Sequence, residues 1–192
     1  MNMPKLIKVL VMSIAVVLVS PLLVLACLER LTSSERLFVS MSQALSMIPN
    51  LPGQYLRAAF YALILPNFSW ESHVGFGSVF SHRDVALGKH VSLGNYCVIG
   101  HVAIGPSAMI GSRVSIPSGK RQHFNAGGEL SIDSNHYDRI QIGGGCWIGE
   151  GAIVMADVGE GAIISAGAVV VTPIPKGAVA GGNPAKILKY LE

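Results

Sequence analysis

Charge is scarce in this chain. Only 13% of its 192 residues are Asp, Glu, Lys or Arg, and the net charge is +3. No dense basic run occurs, which argues against a surface built to neutralise nucleic-acid phosphates. Cysteine is also sparse: Cys27, Cys97 and Cys146 are widely separated, odd in number and without a CxxC spacing. They cannot close a disulfide framework and read as reduced, buried thiols in a cytosolic setting. Asn-Gly and Asp-Gly dipeptides are missing altogether. Those are the strongest short-range hairpin signals, so a sandwich of β-hairpins is disfavoured.

What the chain has instead is apolar side chains, 51% of the total. Val9–Leu28 is a run of 20 residues without a charge, and its only polar members are Ser13 and Ser20. That is about the 20 residues a helix needs to cross a bilayer. No small-x-small cleavage site with a polar start follows it, so residues 1–31 read as a membrane anchor rather than a cleaved signal. Pro21, preceded by Ser20, predicts a break or kink. The Ser-Pro resembles the centre of the re-entrant anchor of monotopic phosphoglycosyl transferases, and a kinked spanning helix is the alternative. Lys5 and Lys8 favour a cytoplasmic N-terminus.

Residues 32–70 predict two amphipathic helices. Thr32 to Glu35 fits a capping box, and Leu37, Met41, Leu45 and Ile48 then recur at helical spacing until Pro49 and Pro52. Residues 54–65 carry Leu56, Phe60, Leu63 and Ile64 with Arg57 as their single charge. Following a membrane anchor, both helices are expected along the membrane interface.

From about residue 74 a different period sets in. Leu87, Leu93 and Ile99 are spaced by six, each followed by glycine. After a one-residue slip come Ile104, Ile110 and Ile116, then Ile142, Ile148 and Val154. Val158, Ile164 and Val170 complete the series, with two residues missing ahead of Val158. A period of six is neither strand alternation nor helical spacing. It is the signature of a parallel β-helix of very short strands, in which each aliphatic points inward and the next small residue turns a corner. Three hexapeptides make one triangular coil, so residues 71–182 supply about five coils. The ladder is interrupted by "SGKRQHFNAGGELSIDSNHYDR", residues 118–139, and residues 183–192 form a C-terminal tail.

Three segments carry a specific resemblance: "IGGGCWIGEGAIV" at 142–154, "SAGAVVVTPIPKG" at 165–177 and "VAGGNPAKILK" at 179–189. They resemble the hexapeptide-repeat (left-handed β-helix) acyltransferase superfamily. Residues 50–117, with "LPGQYLRAAFY" at 51–61, are similar to the membrane-associated O-acetyltransferases of polysaccharide gene clusters. The resemblance implies a homotrimer with active sites between neighbouring β-helices and acetyl-CoA as cosubstrate, with no metal. It also implies a base to activate a sugar hydroxyl, a task suited to histidine with its ordinary pKa of about 6.5. Backbone N–H groups at a fixed corner are placed to receive the oxyanion.

The resemblance puts the base on the excursion. His123, just after a strand that leaves the ladder and 24 residues before Trp147, is the first candidate. His136, just before the ladder resumes, is the second; Asn135 beside it is a substrate-binding candidate. Lys120 and Arg121 are cations for a lipid-linked or nucleotide-linked diphosphate. By the same resemblance, Trp147 walls the pantetheine channel and Gly149 with Glu150 lines the thioester. Ala166, Gly167 and Ala168 offer a flat track, Thr172 matches a usual threonine, and Lys186 meets the nucleotide phosphates. Glu150 and Pro173 depart from the family pattern. One branch of this fold holds zinc through a close histidine pair at a spacing of five. His101 lacks that partner, because position 96 is Tyr96.

The expectation is an acyl-CoA-dependent O-acetyltransferase of a sugar on a lipid-linked glycan precursor, at the cytoplasmic face of the inner membrane. N-acetylation of an amino sugar and a non-catalytic scaffolding β-helix are the alternatives.

Overall fold

A computed structural model describes residues 5–32, 34–119, 123, 128–130 and 137–191. Three helices, α1 (Lys5–Glu29), α2 (Arg36–Ser46) and α3 (Asn50–Ile64), precede a left-handed parallel β-helix. Its first face stacks Phe68, Leu87, Ile104, Ile142, Val158 and Ile174 inward. The second stacks Val74, Leu93, Ile110, Ile148, Ile164 and Ala180. Phe80, Ile99, Ile116, Val154 and Val170 line the third. The solenoid makes about six turns rather than five. The strand Asn67–Phe68, ahead of the expected start at 71, already pairs with Ala86–Leu87. All these inward side chains are buried, so each rung places one apolar group on its equivalent in the next coil.

The glycines after the ladder residues are explained by this stacking. A Cβ on Gly149 would lie 2.4 Å from the backbone nitrogen of Ala166 one coil on. Gly167 sits at φ +68°, where a side chain is strained.

A solenoid has an open end, and the backbone edge of its first coil needs partners. The helices supply them. The Phe80 N–H donates to Ser42 Oγ at 2.9 Å, which also meets Tyr61 Oη at 2.8 Å. The Gly77 N–H donates to the Ser46 carbonyl at 2.9 Å. Arg57, 2% exposed, donates from Nε to the Val74 carbonyl at 3.0 Å and from Nη1 to those of Leu45 and Ile48. The guanidinium thus ties the C-terminal turn of α2 to the first coil, where a cation also suits the helix dipole. Phe38, Phe60, Tyr61 and Phe80 pack as the plug. Phe38, Met41 and Leu45 of α2 and Ala59, Phe60 and Ile64 of α3 are buried around this plug, while Leu37 and Leu63 stay exposed.

Two local expectations are corrected. The break at Ser20–Pro21 does not occur: α1 runs through it unbroken. Proline removes the N–H that would reach the Val17 carbonyl, and Ser20 Oγ donates to that same carbonyl at 2.8 Å. Nor does a capping box open α2, whose N-cap is Glu35 without a side-chain capping bond. The orphan N–H groups of Leu37 and Phe38 instead reach the buried Glu29 carboxylate at 2.7 and 2.8 Å. That leaves the Glu35 carboxylate available for another purpose.

By length and composition, α1 qualifies to cross a membrane. Ala15, Val19 and Ala26 are buried against the rest of the core, while Val9, Ile14, Val17, Leu18, Leu25 and Leu28 are exposed.

Candidate active site

Turns from the first to the second face and from the second to the third keep the period of six in every coil. Departures from it fall at the third corner, between the third face and the first. The chain passes from Phe80 to Leu87, from Ile99 to Ile104, from Ile116 across the excursion to Ile142, from Val154 to Val158 and from Val170 to Ile174. That edge is free to carry long corners, short corners and a loop. The short corner after Ile99 presents His101; the long corner after Phe80 presents His82, Arg83 and Asp84.

Together with the start of α2 these corners enclose a cleft of about 1220 Å³, lined by Glu35, Arg36, Ser81, His82, Asp84, His101 and Tyr137 among others. His101 Nε2 meets Asp84 Oδ2 at 2.6 Å, and His82 Nδ1 meets Glu35 Oε2 at 2.9 Å. The two imidazole centroids are 6.1 Å apart, and the Tyr137 ring stands 4.6 Å from that of His82. Two histidine–carboxylate pairs therefore share one cleft.

Glu35 is held by more than His82. The Arg83 N–H donates to Oε1 at 3.0 Å and Arg83 Nε approaches it at 3.4 Å, while Arg83 Nη2 reaches the Ser34 carbonyl at 2.9 Å. Burial alone would raise the Glu35 pKa. The Arg83 N–H and the His82 ring outweigh it and hold the carboxyl below its ordinary value.

The excursion returns to this cleft. Its first residue, Ser118, is buried; Ser118 Oγ accepts from the His101 N–H at 2.8 Å. The Ser118 carbonyl accepts from the Asp138 N–H at 3.1 Å, and the Ile140 N–H donates to the His101 carbonyl at 3.0 Å. Arg139 Nη2 reaches the Asp84 carbonyl at 3.1 Å. Both ends of the loop are thus fastened at the corner that carries His101.

Of the sequence candidates on this loop, His123 is an exposed turn residue. Lys120, Arg121, Asn135 and His136 lie outside the described residues. The remaining candidates fall elsewhere on the solenoid. Trp147 projects from the second face, 53% exposed, between Met109 and Ile163. Gly149 and Glu150 turn the next corner, and Glu150 Oε2 stands 3.7 Å from Arg113 Nη2. Ala166 and Gly167 are exposed at the same corner one coil further, and Ala168 is buried. Lys186 is exposed and pairs with Gly181 in the closing hairpin, Ala178–Gly181 with Lys186–Tyr190. Thr172 is exposed on the cleft's own edge, in a later coil. The structure therefore separates the cofactor candidates, mostly around the corner between the second and third faces, from the histidine cleft at the next corner.

Sequence reasoning missed the cleft itself. In the sequence His101 stands out only against a metal site, and Glu35 only as part of a capping box. Among the described residues no group of three or more His, Cys, Asp and Glu is placed to hold a metal ion.

No protein-family model matches the chain. A search of curated proteins finds no match either. Solved structures do match. One is a maltose O-acetyltransferase from Clostridium difficile 630, with a TM-score of 0.72 and 22% identity over 82% of this chain and 87% of that one. A galactoside acetyltransferase in complex with coenzyme A gives 0.66 and 20% over 82% and 81%. A hexapeptide-repeat acetyltransferase from Vibrio cholerae O1 biovar eltor, complexed with acetyl coenzyme A, gives 0.64 and 21% over 84% and 91%. At these identities the likeness establishes a shared fold.

Proposed function

We propose that this chain is an acetyl-CoA-dependent O-acetyltransferase that acylates a hydroxyl of a sugar, carried on a lipid-linked glycan precursor. One observation carries the reading: among the described residues, the polar cleft lies on the one edge of the solenoid that departs from the period of six, where the excursion bearing His123 leaves and returns. A repeat built for stacking gains no stability from such an edge; a reaction centre needs one. The fold shared with acetyltransferases that bind coenzyme A supports the same class.

The chemistry is a direct transfer. The acceptor hydroxyl oxygen attacks the thioester carbonyl carbon while the base takes its proton. The oxyanion collapses, the C–S bond breaks, and the coenzyme A thiolate recovers the proton from the base. His123 is proposed as that base, and His136 is the second candidate. The cleft with His101, Asp84, His82 and Tyr137 would hold the sugar. A second reading makes His101 the base, because Asp84 holds its Nε2 at 2.6 Å and leaves Nδ1 to accept the proton.

Trp147, Gly149, Glu150, Ala166, Gly167, Ala168, Thr172 and Lys186 are proposed contacts for acetyl-CoA, and Lys120, Arg121 and Asn135 for the acceptor. Most of the cofactor contacts surround a different corner from the cleft, so one chain does not close the site. A homotrimer, with the cleft of one copy facing the track of the next, would do so. Membrane association at the cytoplasmic face of the inner membrane completes the proposal, drawn from the apolar α1.

The test is mass spectrometry of lipid-linked glycans from cells with and without the protein, complemented with His123→Ala or His101→Ala. An acetyl mass lost on deletion and restored by the wild-type chain is expected. His123→Ala should fail to restore it, by about 10²–10⁴-fold in rate. Failure of His101→Ala alone would move the base to His101. An unchanged acylation pattern on deletion would sink the reading.

A further inference from the structure

Helix α1 is fastened to the body along most of its length. Met12, Ala15, Val19, Leu22 and Ala26 recur at spacings of three and four and pack on the core formed with α3 and α2. At its end the Glu29 carboxylate binds the first N–H groups of α2, and the Arg30 guanidinium donates to the Ile64 carbonyl at the end of α3. Only Leu6–Leu10 are exposed throughout, about 8 Å of helix against a hydrocarbon core of about 30 Å. For α1 to cross a bilayer, α3 with Gln54, the first coil with Glu71 and the second with Lys89 and His90 would have to enter it too.

The opposite face remains apolar and open. Val9, Ile14, Val17, Leu18, Leu25 and Leu28 are all at least 46% exposed. Cations stand at both ends of this uncharged run, Lys8 at one and Arg30 at the other, as suits phosphate headgroups. Trp70, 41% exposed, borders a groove along Lys8, Val9, Met12 and Val16, the amphipathic ring expected at headgroup level.

We infer that α1 is an in-plane anchor: its outer face seats in one leaflet of a phospholipid bilayer, neither spanning it nor re-entering from it. The inference rests on the membrane association proposed above and specifies how that contact is made. The wall of the cleft begins at Ser34, five residues after α1 ends. An in-plane α1 therefore sets the cleft mouth beside the headgroups, where the sugar of a lipid-borne acceptor lies.

The experiment uses the full chain with an N-terminal tag, bound to sealed vesicles of phosphatidylethanolamine and phosphatidylglycerol. Flotation with the vesicles is expected, with the tag cleaved by protease added outside. The triple variant Val17→Gln, Leu18→Gln, Leu25→Gln should lose flotation at least tenfold while keeping its helical circular dichroism. Pro21→Ala should leave the tag exposed, because nothing in the topology depends on a break there. A floating protein with a protected tag would overturn the in-plane arrangement and leave membrane association standing. Loss of tag exposure in Pro21→Ala would overturn it in favour of a re-entrant hairpin. No flotation, with an oligomer that the triple variant dissociates, would mean that a second copy covers the face, and both readings would fall.

Discussion

The Glu35 carboxylate, on the short connector between α1 and α2, holds His82 Nδ1 at 2.9 Å and the backbone N–H of Arg83 at 3.0 Å. The connector is thereby fixed to the corner that forms the cleft. Glu35→Gln keeps the size but removes the charge, and charge-assisted bonds of this kind contribute about 1.5–3 kcal/mol before discounting for partial exposure. A loss of about 1–2 kcal/mol in urea unfolding at neutral pH is expected. The folded-state pKa of Glu35 lies below its ordinary 4.5. Its contribution is thus fully present above that value and disappears as pH falls through the lower folded one. The gap between wild type and Glu35→Gln should close in that acid range; a gap that persists unchanged would show that the charge is not what stabilises the connector.

Arg57 is a buried cation whose partners among the described residues are three carbonyls, from α2, its C-terminal turn and the first coil. Arg57→Leu removes the donors and leaves those acceptors unpaired at the plugged end. A loss of about 1–3 kcal/mol is expected. Arg57→Lys should recover part of it, because an ammonium reaches one or two carbonyls but lacks the planar fork. Chemical denaturation of the three forms gives the order; equal stability of wild type and Arg57→Leu would contradict the clamp.

The inward ladder was legible because its information is local: one aliphatic every six residues, followed by a residue small enough for a corner. The cleft was not, because its partners meet only through coil stacking. Asp84 reaches His101 because their corners fall on the same edge, one coil apart, and that register is set by corners of unequal length. Read as sequence, the short passage from Ile99 to Ile104 is a slip; in the solenoid it is the corner that carries a site residue. Glu35 failed for a related reason. A capping box is a pattern within four residues, whereas the group that caps α2 is Glu29, delivered by the packing of α1. Ser20–Pro21 signals a lost hydrogen bond, but not that the neighbouring hydroxyl fills the vacancy.

At Gly149 the constraint is space. An added Cβ would stand 2.4 Å from the Ala166 nitrogen and 2.8 Å from the Ile164 carbonyl oxygen, both backbone atoms that cannot step aside. Gly149→Ala must therefore spread two coils, at about 1–3 kcal/mol for overpacking of this kind. It should also perturb acetyl-CoA affinity if the corner lines the thioester as proposed. Thermal unfolding and acetyl-CoA titration are separate readouts. A variant with unchanged midpoint would show that the coils are not held at this spacing.

The three thiols divide by position. Cys97 and Cys146 are fully buried, and Cys27 is exposed on α1. Burial pushes the thiols of Cys97 and Cys146 above their ordinary value despite the backbone groups that bond to them, so the reactive thiolate is suppressed as well as shielded. A membrane-permeant maleimide should therefore modify one thiol per folded chain rapidly, and all three, Cys27, Cys97 and Cys146, in denaturant. Cys27→Ser should abolish the rapid phase and leave the slow ones, whose rates then report opening of the solenoid. Rapid labelling of Cys97 or Cys146 in the native state would mean that the coils around Gly94 and Gly143 open readily, contrary to a core stacked without gaps.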